Sequence, residues 1–348
     1  MPQLRLRPAA FGLLLVVLIV IAGAALAVGS VNIPLEDVIK ALIGREPSRP
    51  AYATIVLQFR APRVLTGMLA GAALAVSGLQ MQTLFRNPLA DPFVLGISSG
   101  ASLGVALAVL TGASSGGALF AGANNLGDLG MAAAGSAGAA AALLIVLLIA
   151  GRISSAVGLL VLGLMFGYLV GAVVSLLMYF SAVERIQAYL NWSFGSFGGV
   201  TWRQLTIFGP AVISGLILAG TLIKPLNALL LGETYARSLG VNLPRTRLGI
   251  VLSAALLAGA VTAFCGPIGF LGIAAPHVCR VIFKSADHRL LIPACALVGA
   301  IIALCADLAA QLPGSQMVLP LNSVMALVGA PVVIWIILRG WQTRVTLE

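Results

Sequence analysis

The sequence predicts an all-α membrane protein of about ten transmembrane helices, and three observations carry that expectation. Of its 348 residues, 60% are hydrophobic and only 9% are charged. Mean hydropathy is +1.09. Apolar runs of roughly 20 residues, the length that crosses a bilayer, recur from one end of the chain to the other. A soluble domain carries about 25% charged residues because its surface faces water. A chain this long with so few charges cannot cover such a surface, so lipid is the solvent for most of it.

Taken in order, the spans fall near 9–29, 61–82, 93–110, 131–150 and 157–180, then 204–223, 246–264, 269–283, 290–310 and 320–339. The first follows Arg5 and Arg7 and begins like a signal peptide. Its apolar run extends to about Val28 and many spans follow, which fits a retained helix. The eighth is short enough for a half-span, and the glycine-rich stretch after Asn191 is expected to add a short surface helix. Gly67 to Gly71 and Gly163 to Gly167 are small-xxx-small faces that let helix backbones approach closely. They predict a compact bundle rather than a function. Leu95-Gly-Ile-Ser-Ser99 and Leu271-Gly-Ile-Ala-Ala275 echo each other five spans apart, the spacing of an inverted repeat.

Basic residues set orientation, because they accumulate on the cytoplasmic side. With the N-terminus inside, thirteen lysines and arginines lie inside and seven outside, the latter being Lys40, Arg45, Arg49, Arg60, Arg63, Arg185 and Arg203. Both termini are therefore expected in the cytoplasm. The net charge of +10 belongs to these loops. No aromatic-interleaved basic patch argues for nucleic acid. Cys265, Cys279, Cys295 and Cys305 form no CxxC pair and sit in or beside apolar segments, where cysteine acts as a small hydrophobe.

Ion-coupled carriers place ionisable side chains within their spans. Here Asp307 is the clearest candidate, and His277 and His288 only flank the loop after the eighth span. The energy source is expected to lie elsewhere. The longest polar inner segment runs from Leu231 to Gly240. Glu233 to Ser238 fits a short helix, Gly240 a C-terminal cap and Pro244 the start of the next helix. Tyr235 and Leu239 beside Glu233 and Arg237 suit docking onto a soluble partner. Asn87 and Pro88 are expected to cap and turn the chain between the second and third spans. His277 lacks partners at metal-ligand spacing and is expected to position the loop with Pro276.

Several strings then match in order. Arg60-Ala-Pro-Arg63, Gly71-Ala-Ala-Leu-Ala-Val-Ser-Gly78, Arg86-Asn-Pro-Leu-Ala-Asp-Pro92 and Leu95-Gly-Ile-Ser-Ser-Gly-Ala101 lead the series. Gly232-Glu233 with Ala236, Leu239 and Gly240 comes next, followed by Gly266 to Gly272, Pro276-His277 and Arg280. Ala306-Asp307, Leu319-Pro320 and Gly329-Ala-Pro331 close it. Together they resemble the permease family of iron-siderophore, haem and cobalamin ABC importers.

The resemblance implies a type II ABC importer permease, with residues 1–348 as one transmembrane domain and a cytoplasmic coupling loop at about 224–247. It implies a homodimer in the bacterial inner membrane and two cytoplasmic ATPase subunits that hold ATP and Mg. An external binding protein would deliver a metal chelate. No cofactor or metal is expected on this subunit, and no catalytic residue. The resemblance assigns ATPase coupling to Gly232, Glu233, Ala236, Arg237, Leu239 and Gly240. It puts a cytoplasmic gate at Ser154, Ser155, Ala156 and Val157. Arg60, Arg63 and Gln311 fall at the binding-protein dock or pathway entrance. Two departures stand out. Gln311 occupies a position where the family has arginine, and Asn322 one where it has glycine. An ion-coupled carrier of a small solute is the alternative. An intramembrane enzyme is disfavoured by the lack of an HExxH motif, and no phosphate-binding loop GxxxxGK[ST] occurs.

Overall fold

The computed structural model describes residues 2–111, 128–150, 156–312 and 317–345. In chain order the helices are α1 (Pro2–Ala27), α2 (Leu35–Leu42) and α3 (Pro50–Leu84). After a 3-10 turn at Pro92–Leu95 come α4 (Ile97–Leu110), α5 (Asp128–Ala150) and α6 (Ala156–Tyr179). Then follow α7 (Val183–Ser193), α8 (Trp202–Thr221), α9 (Ile223–Leu230) and α10 (Glu233–Ser238). The chain ends with α11 (Leu243–Cys265), α12 (Leu271–Phe283), α13 (His288–Ala310) and α14 (Leu321–Val345).

Among the described residues seven helices are long and apolar enough to cross a membrane. Three shorter apolar helices, Ile97–Leu110, Leu271–Phe283 and Leu321–Pro331, occupy the remaining predicted positions. Ten apolar elements therefore match the ten expected spans. The second begins earlier than expected, at Pro50, because its first turns carry Gln58, Arg60 and Pro62 and do not read as apolar. The short surface helix also lies elsewhere. It is α7, which precedes the glycine-rich stretch rather than forming within it.

α3 is the axle of the bundle: 83% of its apolar window is buried, against 11% for α1 at the periphery. It packs on α8, α11, α12 and α13 at once. Small residues make that possible, since four neighbours cannot crowd one helix bearing large side chains. Gly71 lies directly on Gly299 of α13, and Gly78 on the Gly272 carbonyl of α12. α4 and α5 pair likewise through Gly100, Gly104, Ala134 and Gly138.

Two local features follow from particular residues. Pro62 has no N–H and its ring crowds the preceding turn. The helix absorbs this with a π turn at Ile55–Arg60, in which the Ala61 N–H reaches back to Val56 O. The two short helices α4 and α12 each start beside a left-handed residue, Gly96 at φ 73° and Phe270 at φ 66°. Next to Phe270, the Gly269 N–H donates to Asn322 Oδ1 at 3.0 Å. Asn322 thus holds α14 against the loop that precedes α12.

Candidate functional site

Two levels of α3 define the two surfaces of interest, one at Arg63 and one at its C-terminal end, roughly 30 Å apart along a helix rising 1.5 Å per residue. At its C-terminal end lies the α10 segment. Gly232 has φ +108°, a conformation that favours glycine, and turns the chain out of α9. Ala236 is fully buried and seats α10 on the bundle. Leu231, Tyr235 and Leu239 remain 62%, 53% and 58% exposed, and Arg237 is exposed beside them. Glu233 is half-buried and pairs with Arg247 of α11 at 2.6 Å. Gly240, at φ +81°, ends the segment, and the Val241 N–H returns to Ala236 O at 3.1 Å. Asn242 Oδ1 then caps α11 by accepting from Arg245 N at 3.1 Å.

The result is a short, rigid, partly apolar knob with one ion pair at its base. An open cleft of about 610 Å³ runs beside it, lined by Arg86, Leu231, Gly232, Glu233, Thr234, Tyr235 and Ser238. Sequence reading did not place Arg86 here, because the loop after α3 and the α10 segment are far apart in the chain. Asn87 lies in that same loop, and its Oδ1 accepts from Leu89 N at 3.0 Å just after Pro88.

Towards the other side of the bundle, thirteen residues into α3, Arg63 and Asp307 form a two-pronged ion pair. Nη2 meets Oδ1 at 2.8 Å and Nε meets Oδ2 at 2.9 Å. Gln311 donates to the same carboxylate at 2.9 Å. Asp307 is 2% exposed. A pocket of about 290 Å³ opens over the pair, lined by Asn191, Phe194, Ser196, Leu319 and Pro320 among others. Asp307 and Gln311 are one helical turn apart on α13, so their contact was readable; the pairing with Arg63 was not.

Arg60 does not join this cluster. It is 8% exposed, and its guanidinium donates to Leu26 O and Ala27 O, both at 2.8 Å, and to Val31 O. It closes the carbonyl end of α1, where a cation is favoured by the unsatisfied oxygens. Arg60, expected with Arg63 and Gln311 at the binding-protein dock or pathway entrance, is here turned inward onto the carbonyls at and just beyond the end of α1.

Of the gate residues, Ser154 and Ser155 lie outside the described residues, and Ala156 and Val157 open α6. Pro276 is buried within α12. His277 is half-buried, and its Nδ1 has no hydrogen-bond partner among the described residues. Among the described residues no group of three or more His, Cys, Asp or Glu could hold a metal ion.

Replacing Arg63 by alanine should leave the Asp307 carboxylate buried with Gln311 alone. Breaking a buried pair from one side costs roughly 3 kcal/mol or more. The detergent-solubilised Arg63→Ala protein should therefore melt earlier, and the Arg63→Ala/Asp307→Ala double variant should recover part of the loss. Equal melting of the parent and Arg63→Ala would count against the pair.

A bundle of membrane-crossing helices, with a partly apolar exposed knob at one end and a charged pocket towards the other, is the build of a polytopic membrane protein. A profile described as the FecCD transport family matches residues 14–339, and the chain belongs to that family. It is 42% identical over 285 residues to the vitamin B12 import system permease protein BtuC of Salmonella paratyphi A, covering 82% of this chain and 84% of that one. The BtuC proteins of Salmonella typhi and Salmonella enteritidis match to the same extent. A solved structure, an inward-facing conformation of a metal-chelate-type ABC transporter, superimposes with a TM-score of 0.82 at 29% identity. That match covers 95% of this chain and 99% of the other.

Proposed function

We propose that this chain is the permease subunit of an ABC importer that moves a metal chelate into the cytoplasm by alternating access. The α10 knob is the observation that carries the reading. Its three large apolar side chains stay exposed at the end of a polar inner segment, while Ala236 and the Glu233–Arg247 pair fix its position. A soluble ATPase subunit is the partner that fits such a surface. Hydrolysis of ATP with Mg occurs on that partner, and this subunit supplies the pathway without a catalytic site or bound cofactor.

In this reading two copies of the chain enclose the pathway in the bacterial inner membrane, with both termini cytoplasmic. Gly232, Glu233, Ala236, Arg237, Leu239 and Gly240 form the coupling segment, and the gate lies at Ser154 to Val157. Arg63 and Gln311 face an external binding protein. Pairing of Asp307 with Arg63 supports ATP as the energy source, since the carboxylate best suited to hold a coupling ion already has a fixed counter-charge. The match to vitamin B12 permeases makes cobalamin the first chelate to test, ahead of ferric siderophores and haem.

The test is uptake by proteoliposomes holding the permease, its ATPase and its binding protein. Transport should require internal ATP and persist when an ionophore collapses ion gradients. Uptake that stops with the gradient while ATP remains would establish the ion-coupled carrier instead.

A further inference from the structure

The strongest unassigned feature is a polar cluster where α3, α9 and α13 meet, with Thr83 and His288 buried and Asn227 and Asp287 half-buried. Asn227, on α9, sits six residues before Glu233, where α10 begins. Its Nδ2 donates to Asp287 Oδ1 at 2.7 Å. That bond turns the amide oxygen toward His288, where it accepts from the backbone N–H at 2.8 Å and from Nδ1 at 2.7 Å. The Nδ1 nitrogen therefore carries a proton. On the other side of the ring, Nε2 lies 2.8 Å from the Thr83 hydroxyl in the last turn of α3. His288 is 1% exposed and Thr83 5%.

Asp287 anchors the arrangement by accepting from Arg289 N at 2.9 Å while capping α13. The Arg289 N–H holds its carboxyl below the usual carboxylate range, with Asn227 contributing in the same direction. A lowered folded pKa gives stability that is present above the unfolded value and lost as pH falls through the folded one. The anchor is therefore fully charged at neutral pH. The neighbouring residue on α3, Gln82, serves α12 in the same way. It accepts from Arg280 at 2.6 Å and donates to Gly272 O at 3.2 Å.

We propose that Thr83, His288 and Asn227 form a joint that carries displacement of α10 into the membrane-crossing helices α3 and α13. The inference rests on the reading of α10 as the ATPase dock. α9 otherwise meets the bundle through Leu226, Ala228 and Leu229. Apolar contact is non-directional and lets a helix slide at little energetic loss. Hydrogen bonds are directional, and breaking the ones at His288 strands a buried imidazole. The three bonds at Asn227 fix α9 in register with the start of α13, and the His288–Thr83 bond ties α13 to α3, so that α9 moves with both helices rather than past them. These are positioning residues, acting through the helices they join.

The test uses the full reconstituted importer, with radiolabelled cobalamin, ferric siderophore or haem, whichever the parent complex takes up. Two quantities are read: ATPase activity stimulated by the binding protein, and chelate transported per ATP hydrolysed. Thr83→Val, which exchanges the hydroxyl for a methyl of similar size, and Asn227→Leu should retain stimulated ATPase activity. They should lower transport per ATP about tenfold, the effect of losing a coupling of ordinary strength. Thr83→Ser, which keeps the hydroxyl, should restore the ratio. Parent-like transport per ATP in Thr83→Val and Asn227→Leu would overturn the joint. A parallel fall of both activities would also overturn it, by reducing these residues to structural support. Leu239→Asp serves as the separate arm. If that variant hydrolyses and transports like the parent, the docking reading fails and takes the joint with it. If it uncouples while Thr83→Val does not, the docking reading stands and the joint alone is refuted.

Discussion

Gly78→Val is expected to abolish the folded bundle, and Gly78→Ala to weaken it severely. A Cβ at this position would run into the carbonyl, carbonyl carbon and Cα of Gly272. All three are backbone atoms of α12, so no rotamer change can relieve the collision. The approach is close around Gly272 as well, where a Cβ would meet Pro92 Cδ at 2.9 Å, Asp91 Oδ2 at 3.2 Å and the Leu74 carbonyl of α3 at 3.3 Å. Overpacking usually costs about 1–3 kcal/mol when side chains can yield. Here the helices themselves must separate, breaking the Gln82 and Arg280 contacts that sit one turn further on. The loss should approach the whole stability of a domain, roughly 5–15 kcal/mol. Yield of monodisperse protein in detergent, followed by thermal melting, reads the effect. Gly171→Ala is the control, since nothing lies within 4 Å of a Cβ there. Two indistinguishable variants would show that α3 and α12 are not packed as described.

Leu239→Asp should disconnect ATP hydrolysis from transport while leaving the permease folded. Leu239 is 58% exposed, so the substitution removes little internal packing and surface changes of this kind typically stay within about 0.5 kcal/mol. At an interface the same change is severe. An aliphatic anchor in a docking pocket is worth roughly 2 kcal/mol or more on truncation, and a carboxylate placed there must also be desolvated. The ATPase subunits should bind at least about 30-fold more weakly, and uptake should fall to background. The measurements are co-purification of the ATPase with the permease and uptake in proteoliposomes. Tyr235→Ala should follow the same direction to a lesser degree, whereas Ala236 variants would act through packing, because that side chain is fully buried. Normal co-purification with Leu239→Asp would move the docking surface elsewhere.

Much of the architecture was legible because lipid imposes a simple code. A backbone that crosses a bilayer must satisfy its own polar groups, so apolar runs become helices and their number can be read in one dimension. The α10 segment was legible for a related reason: Gly232, Gly240 and Pro244 punctuate it locally. Where polar residues entered a helix, the reading stopped short. α3 begins at Pro50 rather than 61 because Gln58, Arg60 and Pro62 interrupt its apolar pattern. α2 was missed altogether, since eight residues with Glu36, Asp37 and Lys40 do not resemble a span. Asp37 is nonetheless buried, with its carboxylate accepting from Ser48 N at 2.9 Å and from Ser48 Oγ.

The polar partners were the part that the sequence withheld. His277 drew attention beside Pro276, yet the histidine with a complete set of bonds is His288. Arg60 and Arg63 looked like a pair, but the π turn and the end of α1 send them to different tasks. Arg63 finds Asp307 across 244 positions of sequence separation, and no local pattern predicts such a meeting.

By itself, then, the sequence determined that this protein lives in lipid, that it crosses the membrane about ten times and that a short helix projects from one polar loop. Those properties depend on composition and local spacing, which each segment carries whatever its neighbours do. Only the tertiary structure decided which carboxylate meets Arg63, where Arg60 points, and that Thr83, Asn227 and His288 share one hydrogen-bonded network. Those outcomes depend on which helix faces lie against α3, and glycine-to-backbone contacts set them.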